Sequence, residues 1–432
     1  MPTKNESGGP VVRSVRIWAR LLGIERAVIE DVEFDERTQA LVVSVRPRKK
    51  AKHRCGRCGR RCPLYDRGGG RRRWRALDLG TIESYLEADS PRVQCPEHGV
   101  VVAQVPWARH GAGHTYAFDD IVAWLAVHTS KSAVCQLMRI AWRTVGKIVT
   151  RVVADAREQA DPFEGLRRIG IDEVSYKRGH RYLTVVVDHD TGRLVWAAPG
   201  HDYKTLSRFF ELLGKERCAQ IVAVSADGAE WIAKAVAAHC QNASLCLDPF
   251  HVVSWATDAL DEVRREVWNA ARKRGQKAIA TELKGARFAL WKNPEDLTER
   301  QKAALATIER TNRPLYRAYL LKEQLRQVFH LPPDQALALL ERWLNWARRC
   351  RIKAFVDLAK TITTCRRDIR ATLELGLSNG RVESVNTKIR LISRVAFGFR
   401  SPEALIALAM LHLGGYCPPL PGRAPRPVAR AA

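Results

Sequence analysis

The spacing of apolar and polar residues divides the chain into segments with different periods. Alternating apolar positions in residues 27–47 predict two strands joined by a turn at 35–38. A second strand pair is expected at about 81–95. Residues 116–155 then change to steps of three and four, which predict three helices with short joints. The first third of the chain therefore combines a small β-region with a helical one.

From Leu166 the pattern alternates between strands and helices. We predict the order strand, strand, strand, helix, strand, helix, strand, with the first two turns marked by KRGH and DHDTG. Residues 251–375 are almost wholly helical, with breaks expected at 293–294, 312–314 and 332–333. This order predicts an α/β region followed by a helical one.

The segment SNGRVESVNTKIRLISRVAFGFRS, residues 378–401, predicts a helix with two distinct faces. The apolar stripe consists of Val382, Val385, Ile389 and Ile392. Glu383 lies on the other face, among the residues Asn386, Thr387, Arg390 and Arg394. That face fits either a solvated surface with salt bridges or a surface that binds a cation and DNA phosphates.

Charge composition narrows the class of partner. The 432 residues include 72 Lys and Arg against 46 Asp and Glu, a surplus of 26 positive charges. Such a surplus favours a polyanion, with nucleic acid ahead of an anionic membrane surface. We expect no membrane partner, because no apolar run approaches the ~20 residues of a spanning helix. The N-terminal MPTKNESGGPVV lacks the apolar core of a secretory signal, so the expected location is the cytoplasm.

Four residues near the N-terminus have the spacing of zinc ligands. Cys55 and Cys58 form one pair and Cys95 and His98 form another, as in a zinc ribbon. Four protein ligands leave no open position, so the zinc would be structural. Cys62 is a spare thiol that could replace one ligand, and a zinc-free fold with incidental cysteines is the alternative. The glycines expected to adopt positive φ in the two turns are Gly56, Gly59 and Gly99.

The three predicted helices fit a helix-turn-helix that binds DNA. Its paired helices would be residues 131–140 and 142–153. Candidate DNA contacts on the second helix and its approach are Arg139, Arg143, Lys147 and Arg151. An ordinary small helical bundle is the alternative.

Three acids occupy places where metal-dependent chemistry could occur. Asp172 lies on the first strand of the α/β region, Asp227 follows the fourth strand, and Glu383 lies on the helix described above. The predicted element order is that of a ribonuclease-H-like fold, in which the end of the fourth strand lies beside the first. Two hard cations held by such carboxylates could catalyse phosphoryl transfer on DNA.

Other acids near these three have competing explanations. Glu173 should point to the opposite face of its strand from Asp172. Asp248, at the end of the fifth strand, could cap the helix that begins at Pro249 or support the site. His251 could orient a ligand or pack in the core.

With these residues in place, the chain resembles a DDE transposase of the ISL-three insertion-sequence family. The motifs that carry the resemblance are the cysteine–histidine ribbon, the helix-turn-helix, GIDEVSYKRGHRYLTVVVD, VSADGAEW, CLDPFHVV and the 378–401 segment. The resemblance implies an enzyme that binds terminal inverted repeats and moves a DNA element by a cut-and-paste or copy route. It also implies a homodimer or higher oligomer on DNA, in the bacterial cytoplasm with the nucleoid.

The resemblance assigns roles to individual residues. Asp172, Asp227 and Glu383 would be the catalytic acids that bind Mg²⁺ or Mn²⁺, with Asp248 and His251 in supporting roles. The residues around the glutamate that would contact DNA are Asn379, Arg381, Asn386 and Lys388.

The expected fold is multidomain α+β: a zinc ribbon, a helix-turn-helix, and a ribonuclease-H-like α/β catalytic core interrupted by an all-α insertion. The expected boundaries are 13–110 for the ribbon domain, 111–160 for the helix-turn-helix, 161–250 for the first part of the core, 251–375 for the insertion, 376–415 for the final core helix and 416–432 for a disordered tail.

Two other functions fit parts of the sequence. An inactive or domesticated relative could act as a DNA-binding regulator, although it would not need an intact set of acids. A nuclease for RNA–DNA hybrids is disfavoured by the separate DNA-binding N-terminal half.

Overall fold

The computed structural model describes residues 17–22, 24 and 27–423. The chain forms two compact units, one of residues 1–161 with 407–432 and the other of residues 162–406. Residues 1–12 and 424–432, which include most of the predicted disordered tail, lie outside the described residues; residues 416–423 contain neither helix nor strand. Within the described part of the chain, no helix has both the length and the apolar character needed to cross a membrane.

The first unit contains two small sheets. Its strands are β1 (Ala27–Asp35), β2 (Ala40–Pro47), β3 (Leu64–Asp66), β4 (Arg71–Arg75), β5 (Glu83–Asp89), β6 (Arg92–Cys95) and β7 (Gly99–Val102). One sheet has the order β1-β2-β5-β4 and the other the order β3-β6-β7. The predicted β1–β2 pair is confirmed. The prediction that β5 and β6 pair is wrong, because each strand has its partners in a different sheet.

Three helices follow in the same unit. They are α1 (Tyr116–His128), α2 (Lys131–Met138) and α3 (Trp142–Gln159). The side chains of Thr115 and Ser130 accept hydrogen bonds from backbone N–H groups in the first turns of α1 and α2, which explains where these helices begin. Arg139 ends α2 in the left-handed conformation, with a φ of 52°. The sequence-based prediction of three helices with short joints is confirmed.

The second unit begins with a five-stranded sheet. Its elements are β8 (Arg168–Lys177), β9 (Arg181–Asp188), β10 (Leu194–Pro199), α4 (Tyr203–Leu213), α5 (Lys215–Cys218), β11 (Ala223–Ala226), α6 (Glu230–His239) and β12 (Ser244–Leu247). The strand order is β10-β9-β8-β11-β12. β11 pairs in parallel with both β8 and β12, whereas β9 is antiparallel to its neighbours. The end of β11 therefore lies beside β8, as predicted.

Eight helices come between this sheet and the helix that carries Glu383. They are α7 (Pro249–Lys273), α8 (Lys277–Gly285), α9 (Arg287–Trp291), α10 (Glu299–Thr311), α11 (Arg313–Val328), α12 (Pro333–Arg349), α13 (Lys353–Thr364) and α14 (Arg366–Leu375). The predicted breaks fall at the junctions between helices, with residues 313–314 and Pro333 already in the first turns of α11 and α12. Trp343 is fully buried at the centre of this bundle, and its indole N–H donates to the backbone oxygen of Leu321 at 2.8 Å.

The chain ends with α15 (Gly380–Val395) and α16 (Pro402–Leu413). Three members of the predicted apolar stripe of α15, Val382, Val385 and Ile389, are buried. The fourth member, Ile392, is half-buried. The helix packs directly on β8 at Gly170, where a Cβ atom would overlap the side chain of Val382. Glycine at this position thus brings the helix of Glu383 against the strand of Asp172.

Candidate active site and metal centre

Asp172, in the middle of β8, lies beside Asp227, which directly follows the end of the neighbouring strand β11. In the parallel ladder of β8 and β11, Gly170 pairs with Ser225. Each aspartate comes two positions after one of these paired residues, so the two are in register. Neighbouring strands are about 4.8 Å apart, so the two aspartates lie close together where β11 ends.

The Asp172 carboxylate is held by two hydrogen bonds. The N–H of Glu173 donates to Oδ1 at 2.8 Å, and Nδ2 of Asn386 donates to Oδ2 at 2.8 Å. Burial, together with the charges of Asp227 and Glu173, raises the pKa of Asp172 to about 6. An acid that resists ionisation because of burial and like charges is a site where a cation binds favourably.

Glu383 lies in the first turn of α15, the helix whose Asn386 contacts Asp172. Asn379 and Asn386 are four positions before it and three positions after it, so all three share one side of the helix. Asn379 donates to the backbone oxygen of Ile171 at 3.4 Å, and Asn386 contacts Asp172 as described above. Glu383 lies between these two anchors with its side chain exposed.

The three acids do not form a tight cluster. Within residues 17–22, 24 and 27–423, the cysteine–histidine group is the one set of three or more potential ligands whose atoms all lie within 4.8 Å of one another. Two cations about 3.5–4 Å apart, each about 2.1 Å from its oxygens, span carboxylates up to about 8 Å apart. Oδ1 of Asn386 is buried and has no hydrogen-bond partner, so the donor set beside Asp172 includes one unsatisfied oxygen. These residues fit hard divalent cations.

Asp248 connects the sheet to the start of α15. Its side chain does not cap α7, which was one of the two predicted roles. Instead its Oδ1 accepts a hydrogen bond of 2.9 Å from the backbone N–H of Asn379. His251, half-buried in the first turn of α7, acts electrostatically on Asp172 and favours its ionised form. Asp248 thus positions the helix of Glu383, and His251 faces Asp172.

The residues predicted to contact DNA around Glu383 differ in accessibility. Asn379 and Asn386 are 4% and 1% exposed, so neither amide can reach a DNA phosphate in this conformation. Arg381 is exposed but donates to the backbone oxygen of His189. Lys388 is exposed and forms no ion pair among the residues that the structure describes. Lys388 is therefore the one cation of this set whose side chain makes no hydrogen bond to the described residues, whereas Arg381 keeps its charge but is held by backbone oxygens.

The four cations predicted to contact DNA from the helix-turn-helix also differ in accessibility. Arg151 makes two hydrogen bonds of 3.0 Å to the carboxylate of Asp119, which is fully buried. Arg139 forms ion pairs with two acids close to the start of β5. Arg143 and Lys147 are exposed, one turn apart on α3, and have no ion-pair partner in the described part of the chain. These two cations are available to DNA.

The four predicted zinc ligands meet in space. Cys58 and Cys95 have their sulfurs 3.8 Å apart, and Nδ1 of His98 lies 3.8 Å from Cys55 Sγ and 3.6 Å from Cys95 Sγ. A tetrahedral zinc ion with Zn–S bonds of about 2.3 Å holds its sulfurs about 3.8 Å apart. Burial raises the pKa of the Cys95 thiol, but the hydrogen bonds from the His98 side chain and from the backbone of Glu97 and His98 together lower it to about 6. The cluster therefore fits a structural zinc ion.

Cys62 lies beside this cluster but is not one of the four residues whose potential ligand atoms all lie within 4.8 Å of one another. It is buried, and its sulfur contacts the backbone oxygen of Arg60 at 3.4 Å. Gly59 and Gly99 have positive φ angles of 68° and 65°, as predicted. Gly56 does not have a positive φ, so that prediction is wrong; there a Cβ atom would collide with the ring of His110.

Sequence reasoning missed three residues that organise the site. The Ser225 hydroxyl donates to Oδ1 of Asn379 and lies 2.7 Å from Nε2 of His189. Gly170 permits the close approach of α15 described above. In the sequence, Ser225 and Gly170 are small residues within apolar strands, which is a weak indication of close packing at those positions. Nothing in the sequence distinguishes His189, which lies next to a turn.

A zinc-ligand cluster, a helix-turn-helix and an α/β unit with acids on adjacent strands are the parts of a DNA transposase. Three family models match the chain. One described as "Transposase" covers residues 169–409, one described as "Helix-turn-helix domain of transposase family ISL3" covers 103–153, and one described as "zinc-finger of transposase IS204/IS1001/IS1096/IS1165" covers 51–98. The chain belongs to the ISL3 family of insertion-sequence transposases. The resemblance noted from the sequence is confirmed.

Individual relatives support the same family. The chain is 60% identical over 436 aligned residues to "Transposase for insertion sequence element IS1557" of two Mycobacterium tuberculosis strains, CDC 1551 / Oshkosh and ATCC 25618 / H37Rv, covering 95% of this chain and 98% of the relative. It is 27% identical over 380 residues to "Transposase for insertion sequence element IS1001" of Bordetella parapertussis, covering 87% of this chain and 92% of that relative.

Proposed function

We propose that this transposase cleaves and joins DNA strands at a site formed by Asp172, Asp227 and Glu383. The observation that carries the proposal is the register of β8 and β11, which sets Asp172 beside Asp227, while Asn386 links Asp172 to the helix of Glu383. The three carboxylates would hold Mg²⁺ or Mn²⁺, the hard cations that prefer oxygen ligands. When bound, two such cations activate an attacking oxygen and stabilise the leaving one.

The chain's own residues prepare this site before any cation binds. Asn386 fixes the orientation of the Asp172 carboxylate through its amide N–H. Asp248 and Ser225 hold Asn379, and Asn379 sets the start of α15 against β8. This buried polar frame would present three acids to the scissile phosphate in a fixed geometry, which is what phosphoryl transfer requires of a protein.

The chemical steps proposed are hydrolysis followed by strand transfer. Water attacks the phosphorus at the element's end, which breaks one P–O bond and frees a 3′-hydroxyl. That hydroxyl then attacks a phosphate of the target DNA, so one P–O bond forms as another breaks. Neither step needs a covalent bond to the protein.

We propose further that residues 161–250 and 376–415 form a ribonuclease-H-like core and that residues 251–375 are an all-α insertion in it. The support is the strand order β10-β9-β8-β11-β12, with three antiparallel strands followed by two parallel ones. The eight helices between β12 and α15 have their own apolar core around Trp343.

DNA recognition is assigned to the first unit. Residues 13–110 and 111–160 would bind the terminal inverted repeats through the ribbon and the helix-turn-helix, with Arg143 and Lys147 as free cations on α3. We propose a dimer or higher oligomer on the DNA, because two ends of the element must be brought together, and a location with the bacterial nucleoid. The surplus of 26 positive charges supports binding to DNA.

The test uses duplexes that contain the junctions between the element and its flanking DNA. Wild type, Glu383→Gln and Asp172→Asn are compared for strand cleavage in Mg²⁺ and Mn²⁺, with gel-shift binding on the same samples. Glu266→Gln is the matched control, because Glu266 is also an exposed helical glutamate of the second unit. We expect both site variants to lose cleavage and keep DNA affinity, while the control keeps both.

A second candidate function is that of an inactive DNA-binding regulator. It predicts that the wild type binds the junction duplex without cleaving it in either metal. If Asp172→Asn instead cleaves DNA at the normal rate, Asp172 is not one of the catalytic acids.

A further inference from the structure

The β8–β9 hairpin extends past the rest of its sheet. The ladder between its two strands continues to the pair Lys177 and Arg181. On one side, β11 pairs with β8 only as far as Gly170. On the other side, the last pair between β10 and β9 is Pro199 with Leu183. Residues 175–182 therefore form a two-stranded arm with no neighbouring strand.

The tip of this arm is positively charged and exposed. Lys177, Arg178 and Arg181 are all exposed, and residues 175–182 contain no acid. None of the three forms an ion pair within the part of the chain that the structure describes. Of the nearest acids, Asp202 accepts from the backbone N–H of Thr205, and Glu173 lies at the base of the arm. Three exposed cations without counter-charges are available to bind an external anion.

Aromatic contacts stiffen the base of the arm. The ring of Tyr182 lies 4.6 Å from that of His201, centroid to centroid. The Tyr182 hydroxyl is 3.5 Å from Nδ1 of His180. Gly179 and His180 both have positive φ, 84° and 56°, which closes the turn tightly. A braced arm of this kind can hold its charges in fixed positions along a rigid partner.

The arm also lies near the acids. Lys177 comes five positions after Asp172 on the same strand, which corresponds to about 17 Å at ~3.4 Å per residue. Duplex DNA rises 3.4 Å per base pair, so this reach is roughly five base pairs. A two-stranded ribbon is also narrow enough to enter the major groove.

We propose that residues 175–182 are a DNA-binding arm whose three cations contact backbone phosphates within roughly five base pairs of the scissile phosphate. The proposal rests on the proposed function in one respect, because it takes Asp172 to mark the scissile position. The arm would bind the phosphate backbone of the duplex, which is the same for every base sequence. It would therefore increase affinity and fix the position of the DNA without recognising particular bases.

The first experiment measures DNA affinity against salt concentration without divalent metal, so it does not depend on cleavage. Each phosphate neutralised contributes about −0.9 to the slope of log K against log salt. The variant Lys177→Ala/Arg178→Ala/Arg181→Ala should reduce the slope by about 2 to 3 on the junction duplex. The charge-preserving variant Lys177→Arg/Arg178→Lys/Arg181→Lys should keep the wild-type slope.

A matched control separates local contacts from a change in net charge. Lys273→Ala/Lys277→Ala/Lys284→Ala removes three exposed lysines of α7 and α8 that have no ion pair in the described residues. This control should leave the slope nearly unchanged. An equal reduction by both triple variants, or none by the arm variant, overturns the proposal. A wild type that binds but never cleaves would sink the proposed function and leave this slope test intact.

The second experiment locates the arm on the DNA. Duplexes are shortened to about two base pairs on one side of the scissile position and then on the other, within the reach estimated above. The difference in slope between wild type and the arm variant should vanish on one of these duplexes and persist on the other. A difference that persists on both duplexes contradicts the assigned reach.

Discussion

Asn379 donates its backbone N–H to the Asp248 carboxylate at 2.9 Å, across a separation of 131 residues. Asp248 stands where the chain leaves the sheet for the helical segment, and Asn379 stands where it returns. One buried hydrogen bond thus fastens both ends of that segment beside the acids. The position of Glu383 depends on this closure, because α15 begins at the next residue.

Replacing Asp248 should test that closure. Asp248→Ala leaves a buried N–H without an acceptor, so the free energy of unfolding should fall by about 1–3 kcal/mol. Strand cleavage should fall further than DNA binding, because α15 loses its anchor. Asp248→Asn keeps an oxygen acceptor and should retain most of the stability. Urea denaturation and cleavage assays measure both effects; equal losses in the two variants would point to the charge rather than the hydrogen bond.

Gly170→Ala should push α15 away from β8. The new Cβ overlaps Val382, and overpacking of this kind typically costs about 1–3 kcal/mol. Cleavage should drop with stability, and the second substitution Val382→Ala should restore part of both. Gly285→Ala is the control, because a Cβ there meets nothing within 4 Å. If Gly170→Ala and Gly285→Ala change the free energy of unfolding equally, the close packing of α15 on β8 does not contribute to stability.

Alanine substitution should have different effects at the paired Arg151 and at the two free cations, Arg143 and Lys147. Arg151→Ala leaves the buried Asp119 with one of its arginine partners missing, so we expect a loss of roughly 3 kcal/mol in unfolding free energy. Arg143→Ala/Lys147→Ala should change stability by no more than about 0.5 kcal/mol. The same double variant should reduce the salt slope of DNA binding by about 2. Unchanged DNA binding in the double variant would contradict its assignment.

Zinc content should distinguish Cys62 from the four ligands. Wild type and Cys62→Ser should each hold about one zinc ion per chain, whereas Cys95→Ser should lose it, because zinc needs all four positions of its tetrahedron. Metal release measured with a chromogenic chelator checks this. Loss of zinc in Cys62→Ser would make Cys62 a ligand.

His114 should make stability depend on pH. Burial, followed by the charges of Arg151 and Arg75, lowers the pKa of His114 from 6.5 to about 4. Between these values the unfolded chain binds a proton that the folded chain does not, so stability falls as the pH falls through this window. His114→Phe removes that contribution and keeps the ring beside Phe118. Denaturation curves at pH 7 and pH 4.5 should therefore differ less in this variant; an identical difference in both proteins would contradict the shift.

The element order was predictable because periodicity reports burial directly. The strands β8 to β12 have buried apolar cores, and turn residues separate them. β4 was missed because four of its five residues are arginines, two of which pair with Glu87 on β5. Its single buried apolar side chain, Trp74, is too little to show an alternating pattern.

The acids could be singled out from their places on the first strand, after the fourth strand and on the final core helix, whereas the residues that hold them could not. Asn379 and Asn386 share the polar side of α15, so a helical net assigns them to a surface. The structure buries that side at two points, against Ser225 and against Asp172. Such contacts join distant parts of the chain and leave no local signal in the sequence.

The order of the elements also has a consequence for protein synthesis. A ribosome completes the ribbon, the helix-turn-helix, Asp172 and Asp227 long before it reaches Glu383. If the proposed site is correct, a nascent or prematurely terminated chain can occupy the element's ends but cannot cut them. Incomplete products would then act as competitors of the full-length enzyme, and each translation error would lower the frequency of transposition in its host.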